Sequence, residues 1–336
     1  MMKREKMTGM QEALSRPVAM GLLALFCCAL WGSAFPCIKI GYRLFEISAG
    51  DTGSVILFAG LRFALAGIMV ILAGSAMQGR RLVPRRGDIV KIAKLCTFQT
   101  VFQYFFFYIG LAHASGVKSA IITGSNSLLT ILMSSLVFRQ EKLTPAKAAG
   151  CLLGFLGVAA ANLTGGGMDQ NVSFLGEGFV FLSAVSYAVS SALIKRYSAD
   201  ADPVLLSGWQ FLAGGAVLAA GGLALGGSIR HASFPAAAML LYLGFLSAAA
   251  YTIWGLLLKY NPVSRVSIYG FSNPVVGVVL SALLLGEGGQ AFSARNVAAL
   301  LLVSGGIFVV NHSAFARGER QREGMDSFWG KEGSRD

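Results

Sequence analysis

Residues 54–76 read SVILFAGLRFALAGIMVILAGSA, a run of apolar and small residues interrupted by one charge, Arg62. At 1.5 Å per helical residue, such a run crosses the roughly 30 Å hydrocarbon core of a bilayer. The rest of the chain has the same character. Hydrophobic residues make up 55% of its 336 positions and charged residues only 13%, about half the usual charged share. A soluble surface needs more polar cover than this. That excludes a disordered chain, a nucleic-acid-binding arm and a water-soluble globule.

Nine further stretches are long and apolar enough to read as spans: residues 18–40, 93–112, 115–138, 146–163, 174–196, 203–225, 236–258, 263–286 and 291–312. The expected fold is an all-α integral membrane protein with ten transmembrane helices. Pro17, Pro84, Pro145, Pro203, Pro235 and Pro262 fall in loops or at span starts, where a missing N–H costs little. Only Pro36 and Pro274 lie inside spans. With residue 1 on the cytoplasmic side, 22 of the 28 Lys and Arg fall in inward stretches, five fall in outward ones and Arg62 lies within a span. This bias places both termini in the cytoplasm of a multi-pass inner-membrane protein. The net charge of +12 is then a topology signal and a contact with anionic lipid, with no nucleic-acid partner. The first span is too long for a cleaved signal peptide and is expected to be retained.

The second half repeats the first. Shifting residues 116–141 by 146 lays Val117 on Val263, Ile122 on Ile268, Gly124 on Gly270, Ser135 on Ser281 and Glu141 on Glu287. Gly60-Leu61-Arg62-Phe63 falls on Gly208-Trp209-Gln210-Phe211 at a shift of 148, and Ile38-Lys39 on Ile194-Lys195 at 156, which sets Trp31 on Tyr187. The organisation expected is a tail over 1–17, one repeat over 18–163, a second over 174–312 and a tail over 313–336. Five spans per copy is an odd number, so the second copy enters the membrane inverted. Inverted halves around a midplane site are the physical basis of alternating access.

Trp31-Gly32-Ser33-Ala34-Phe35-Pro36, Lys39 ahead of Gly41, Arg62-Phe63 with Gly67, Tyr108 with Gly110-Leu111, and Glu141-Lys142-Leu143-Thr144 resemble the EamA repeat of the drug/metabolite transporter superfamily. The likeness runs over residues 20–311 in two copies. It implies a metabolite transporter; relatives of this kind export amino acids, other metabolites and drugs, and some import. The second copy departs from the pattern, with Gln210 at the place of Arg62 and Gly288-Gly289-Gln290 after Glu287.

Arg62 lies near the midplane, too deep to reach bulk water by snorkelling, so it faces the bundle interior or a wet cavity. It either anchors a carboxylate or phosphate of the solute, or gates, or bonds carbonyls freed at helix breaks. Trp31, Tyr104, Tyr187, Tyr251 and Trp254 lie within spans and are candidates for lining a cavity around an amphipathic solute. Gln99 and Gln103 share a helix face. With Asn126, Gln210 and Asn273 they complete the binding candidates, the alternative being hydrogen bonding between helices. Pro36 and Pro274 are candidate hinges. Gly150 and Gly154 read as sites of close helix packing.

Five scattered cysteines and three distant histidines form no metal motif, and neither a metal nor another cofactor is expected. No Asp lies within a span, and Glu141, Glu177 and Glu287 sit at span ends. The buried carboxylate that proton antiport needs is missing from the first span. Uniport or exchange is the simpler expectation, with Glu177 leaving proton coupling open. The function expected is export of a small amino-acid-like or related amphipathic metabolite, by a monomer or homodimer. The alternatives are a flippase for a lipid or lipid-linked sugar and, lacking hydrolytic motifs, a membrane-embedded enzyme.

Overall fold

The computed structural model describes residues 11–48, 50–113, 122–162, 173–229, 233–285 and 301–310, with positions 9, 298 and 312. Parts of the expected fourth and tenth spans, Val117, Glu287, most of the first eleven residues and the tail 313–336 lie outside them. Among the described residues every regular element is helical. In chain order these are α1 (Pro17–Leu44), α2 (Thr52–Gln78), α3 (Arg86–Leu95 running through a π-helical stretch Cys96–Phe102 into Gln103–His113) and α4 (Ile122–Val137). There follow α5 (Pro145–Asn162), α6 (Phe174–Tyr197), α7 (Pro203–Ala224) and α8 (Phe234–Tyr260). The chain continues as α9 (Val263–Ser267, a 3-10 turn Ile268–Phe271, then Ser272–Leu285) and α10 (Leu301–Val310). By length and composition α1, α2, α6, α7 and α8 are long and apolar enough to cross a membrane.

The caps explain the boundaries of the two central helices. Asp51 accepts from Ser54 N at the start of α2, and Asp202 accepts from Val204 N at the start of α7, each filling an orphan donor of the first turn. Gly79 closes α2 at φ 59°, and Gly226 follows α7 at φ 81°, a conformation that costs glycine nothing. α3 begins at Arg86, seven residues before the expected span, where the Asp88 carboxylate accepts from Arg85 N and Asp88 N donates to Arg85 O outside the apolar run. Similarly, α1 continues past Ile40 to Leu44.

α2 and α7 form the most intimate contact of the fold. Their glycines recur every seven residues, at Gly53, Gly60, Gly67 and Gly74 and at Gly208, Gly215 and Gly222, a spacing that keeps one face toward a partner. A Cβ on Gly60 would sit 2.3 Å from Ala219 N, one on Gly67 2.4 Å from Leu212 N, one on Gly215 2.2 Å from Ala64 N and one on Gly222 2.4 Å from Leu57 N. Backbone therefore meets backbone, the packing that small residues permit where lipid offers no hydrophobic drive. As numbering rises along α2 its partners fall along α7, so the two helices run antiparallel. The contacts are also reciprocal. Gly60 meets Ala219 and Gly208 meets Ile71; Gly67 meets Leu212 and Gly215 meets Ala64. Each pair maps onto the other through the same 148-residue offset.

The wider packing follows that relation. α1 packs on α8 and α9 as α6 packs on α3 and α4, and α2 packs on α8 as α7 packs on α3. Gly150 approaches Gly306 and Val310, and Gly154 lies against the Phe271 ring, as close packing at these glycines requires.

One end of the bundle gathers the basic loops. Arg80 pairs with Asp202 at 3.0 Å and Lys91 with Asp200 at 2.7 Å, Trp209 Nε1 donates to Leu82 O, Gln140 Nε2 to Ala192 O, and Asn261 Nδ2 to Leu14 O. Lys91 holds the exposed Asp200 carboxyl below the usual carboxylate range by its hydrogen bond. At the opposite end Ser54 and Ser228 exchange hydrogen bonds, joining the first turn of α2 to the segment after α7.

Candidate functional site

Where α2 crosses α7, the rings of Phe63 and Phe211 stack with centroids 5.4 Å apart. Tyr104 from α3 lies 4.4 Å from Phe63, and Tyr251 from α8 lies 5.0 Å from Phe211. The two tyrosine hydroxyls meet at 3.1 Å. Phe63 and Phe211 differ by 148 residues and Tyr104 and Tyr251 by 147, so the cluster joins two pairs at nearly the same sequence offset. Trp31 packs edge-on against Tyr251 and Trp254, with centroids 5.1 and 5.0 Å away.

Arg62 borders this cluster and is 3% exposed. Its Nε donates to Ser247 Oγ at 3.0 Å, Ser247 Oγ donates onward to Leu243 O, and the guanidinium lies 5.1 Å from the Phe63 ring centre. Its two Nη atoms donate to no described residue. Among the described residues its hydrogen-bond partner is a hydroxyl and not a backbone carbonyl.

Gln210 is fully buried and accepts from Thr100 Oγ1 at 2.7 Å. Thr100 and Ser247 are 147 residues apart. Arg62 on Ser247 and Gln210 on Thr100 are thus the same pair in the two halves. Lone hydroxyls in apolar helices carry no sequence signal of their own, and Thr100 and Ser247 become visible only through this register.

An arginine cannot shed its proton in a protein, and burying its charge at a helix centre costs about 3 kcal/mol or more even on insertion-based scales. One hydroxyl and one ring face offset part of that. The described carboxylates, Glu12, Glu46, Asp51, Asp88, Glu141, Glu177, Asp200 and Asp202, all stand at helix ends or outside the long helices. No described acid neutralises Arg62.

Other candidates add unpartnered polarity. Trp31 Nε1, Trp254 Nε1, Gln99 Oε1, Gln103 Oε1 and Gln210 Nε2 are buried without a hydrogen-bond partner among the described residues, as are Asn126 Oδ1 and Asn273 Oδ1. Gln99 and Thr100 sit on the π-helical stretch of α3, a distortion common at functional positions. Asn126 lies on α4 and Asn273 on α9, and among the described residues no hydrogen bond ties them to the Arg62 cluster. Tyr187 is half-buried, near Tyr104, Cys27 and Cys28. Pro36 lies within an uninterrupted α1, whereas Pro274 is the third residue of the helical stretch that resumes after the 3-10 turn of α9.

At the basic end a cavity of about 420 Å³ opens between the α4–α5 and α8–α9 connections, lined by Glu141, Lys147, Lys195, Asn261, Ser264 and Arg265 among others. Glu141 organises it. Its carboxylate pairs with Lys147 Nζ at 2.8 Å and accepts from Ser264 N at 2.8 Å and Ser264 Oγ at 2.7 Å. It supplies from outside the cap that Pro262 cannot give α9.

Comparison with known proteins adds three findings. The EamA-like transporter family model matches residues 19–163 and again 174–312. A Salmonella typhimurium protein named "Probable amino-acid metabolite efflux pump" is 26% identical over 302 residues, covering 86% of this chain and 93% of that one, and an "Uncharacterized transporter" of Archaeoglobus fulgidus is 27% identical over 292 residues, covering 83% and 94%. A solved structure superposes with a TM-score of 0.71 at 21% identity, covering 89% of this chain and 98% of the other, and so shares the fold.

Proposed function

Since the chain belongs to the EamA-like transporter family, we propose that it carries a small amphipathic solute bearing an anionic group, of the amino-acid-like class, outward across a bacterial inner membrane by alternating access. The observation that carries this is Arg62: a permanent charge, 97% buried, with two Nη atoms that donate to no described residue and no described carboxylate beside it. A solute carboxylate supplies the missing counter-charge through the planar fork of the guanidinium. The rings of Trp31, Phe63, Tyr104, Phe211 and Tyr251 offer the apolar body a matching surface.

Alternating access rests on ten spans arranged as two inverted five-helix repeats, the first over 18–163 and the second over 174–312. The antiparallel, reciprocal contact of α2 with α7 supports this, because helices equivalent in the repeat run in opposite senses. In the conformation described, the Tyr104–Tyr251 contact closes the centre. The solute reaches Arg62 when that contact opens toward one side or the other. The basic end carries the Lys and Arg excess, so it faces the cytoplasm together with both termini, and its 420 Å³ cavity is the inner vestibule. The relative's printed name favours amino-acid metabolites as the solute and export as the direction.

Counterflow tests the reading. Proteoliposomes preloaded with a panel of unlabelled amino acids and related carboxylates should accumulate at least one labelled member above its equilibrium level. Absence of counterflow across the panel, with scrambling of a labelled lipid in the same vesicles, would replace the solute carrier with a flippase.

A further inference from the structure

We infer that Gln210 is the residue that limits the solute to a single anionic group, reading the uncharged far pole of the molecule whose carboxylate is held by Arg62; this rests on the role proposed for Arg62. Arg62 and Gln210 hold equivalent positions, each bound to a hydroxyl on the neighbouring helix, Ser247 in one case and Thr100 in the other. Gln210 is 0% exposed, yet its Nε2 has no partner, so a buried donor stands ready at the second position. Along the seam Gly60 faces Ala219 and Gly67 faces Leu212. Arg62 is therefore level with the residues about seven positions beyond Gln210, a separation of about 10 Å along the helix axis.

The Tyr104 and Tyr251 hydroxyls meet at 3.1 Å, with Tyr104 against Phe63, the neighbour of Arg62, and Tyr251 against Phe211, the neighbour of Gln210. The centre thus contains two half-sites of one design with different charge: a cation at Arg62 and a neutral amide at Gln210. A second carboxylate reaching Gln210 finds one amide donor and no charge, and its desolvation goes uncompensated. A neutral acceptor there is satisfied by the amide.

Eight-carbon chains of graded far pole are suited to a gap of this length: octanoate, suberic acid monoamide and suberate. Titrated into the purified full-length protein by calorimetry, wild type should bind the monoamide and octanoate at least tenfold more tightly than suberate. Gln210→Arg, which repeats an arrangement the fold already houses at Arg62, should bind suberate at least tenfold more tightly than wild type does. The double exchange Arg62→Gln with Gln210→Arg should restore the octanoate binding that Arg62→Gln alone removes. Gln210→Met, close in size, should lose about tenfold for the monoamide relative to octanoate, which decides the matter if the arginine variants do not fold.

If Arg62→Gln abolishes octanoate binding while Gln210→Arg leaves the suberate-to-octanoate ratio unaltered, or Gln210→Met weakens both ligands equally, the inference fails and the role of Arg62 stands. If Arg62→Gln binds octanoate as wild type does, or wild type binds none of the three, both fail.

Discussion

Arg62→Gln is expected to lower transport at least a hundredfold while the yield and thermal stability of purified protein stay close to wild type. The first half follows from losing two charge-assisted hydrogen bonds to the solute, each worth about 1.5–3 kcal/mol, where every 1.4 kcal/mol is tenfold. The second follows from Gln210, a fully buried glutamine that the fold houses at the equivalent place with a hydroxyl bonded to its Oε1. Arg62→Lys should fall between, because an ammonium keeps the charge and loses the planar fork. Uptake into proteoliposomes normalised to folded protein measures the split. Equal loss of folded protein and of transport would make Arg62 a structural residue.

Gly215→Leu should cost about 3 kcal/mol or more and remove most folded protein. Its Cβ alone would lie 2.2 Å from Ala64 N and 2.7 Å from Gly60 O, backbone atoms that cannot step aside without parting α2 from α7 along the seam. Overpacking of this kind is among the few mechanisms that give large losses. Gly221, six residues along the same helix, has nothing within 4 Å of its Cβ position, so Gly221→Leu should leave the melting temperature unchanged. Thermal melting followed by size-exclusion chromatography compares the two. A stable Gly215→Leu would mean that the backbone contact between α2 and α7 does not hold the fold together.

Much of the helical framework is legible in the residues themselves. α7 is expected over 203–225 and found over Pro203–Ala224, and α6 is expected over 174–196 and found over Phe174–Tyr197, because apolar runs bounded by Pro203 and by polar loops leave little choice. α3 is less legible at its start, since Arg86, Lys91 and Lys94 continue the helix beyond the apolar run. Arg62 stands out as a lone charge in a span, whereas the hydroxyls that bind it and its counterpart do not. Ser247 and Thr100 are small polar residues in helices apolar on every side, where no periodicity marks an inner face. The seven-residue spacing of Gly53, Gly60, Gly67 and Gly74 is written in the sequence, but the helix it packs against is not. Gln210 reads as a departure from the pattern of the first half; in three dimensions it keeps the geometry and changes only the charge.

The account depends on the two halves being threaded in opposite senses, and sided cysteine labelling addresses that directly. The five native cysteines are buried, so wild type provides a quiet background. Ser48 precedes α2 and Ala199 precedes α7, equivalent connections in the two halves, and both are exposed. In intact cells an impermeant maleimide should label Ser48→Cys from outside and reach Ala199→Cys only after the membrane is opened. Labelling of both positions from the same side would contradict the inverted arrangement and, with it, the shared central site.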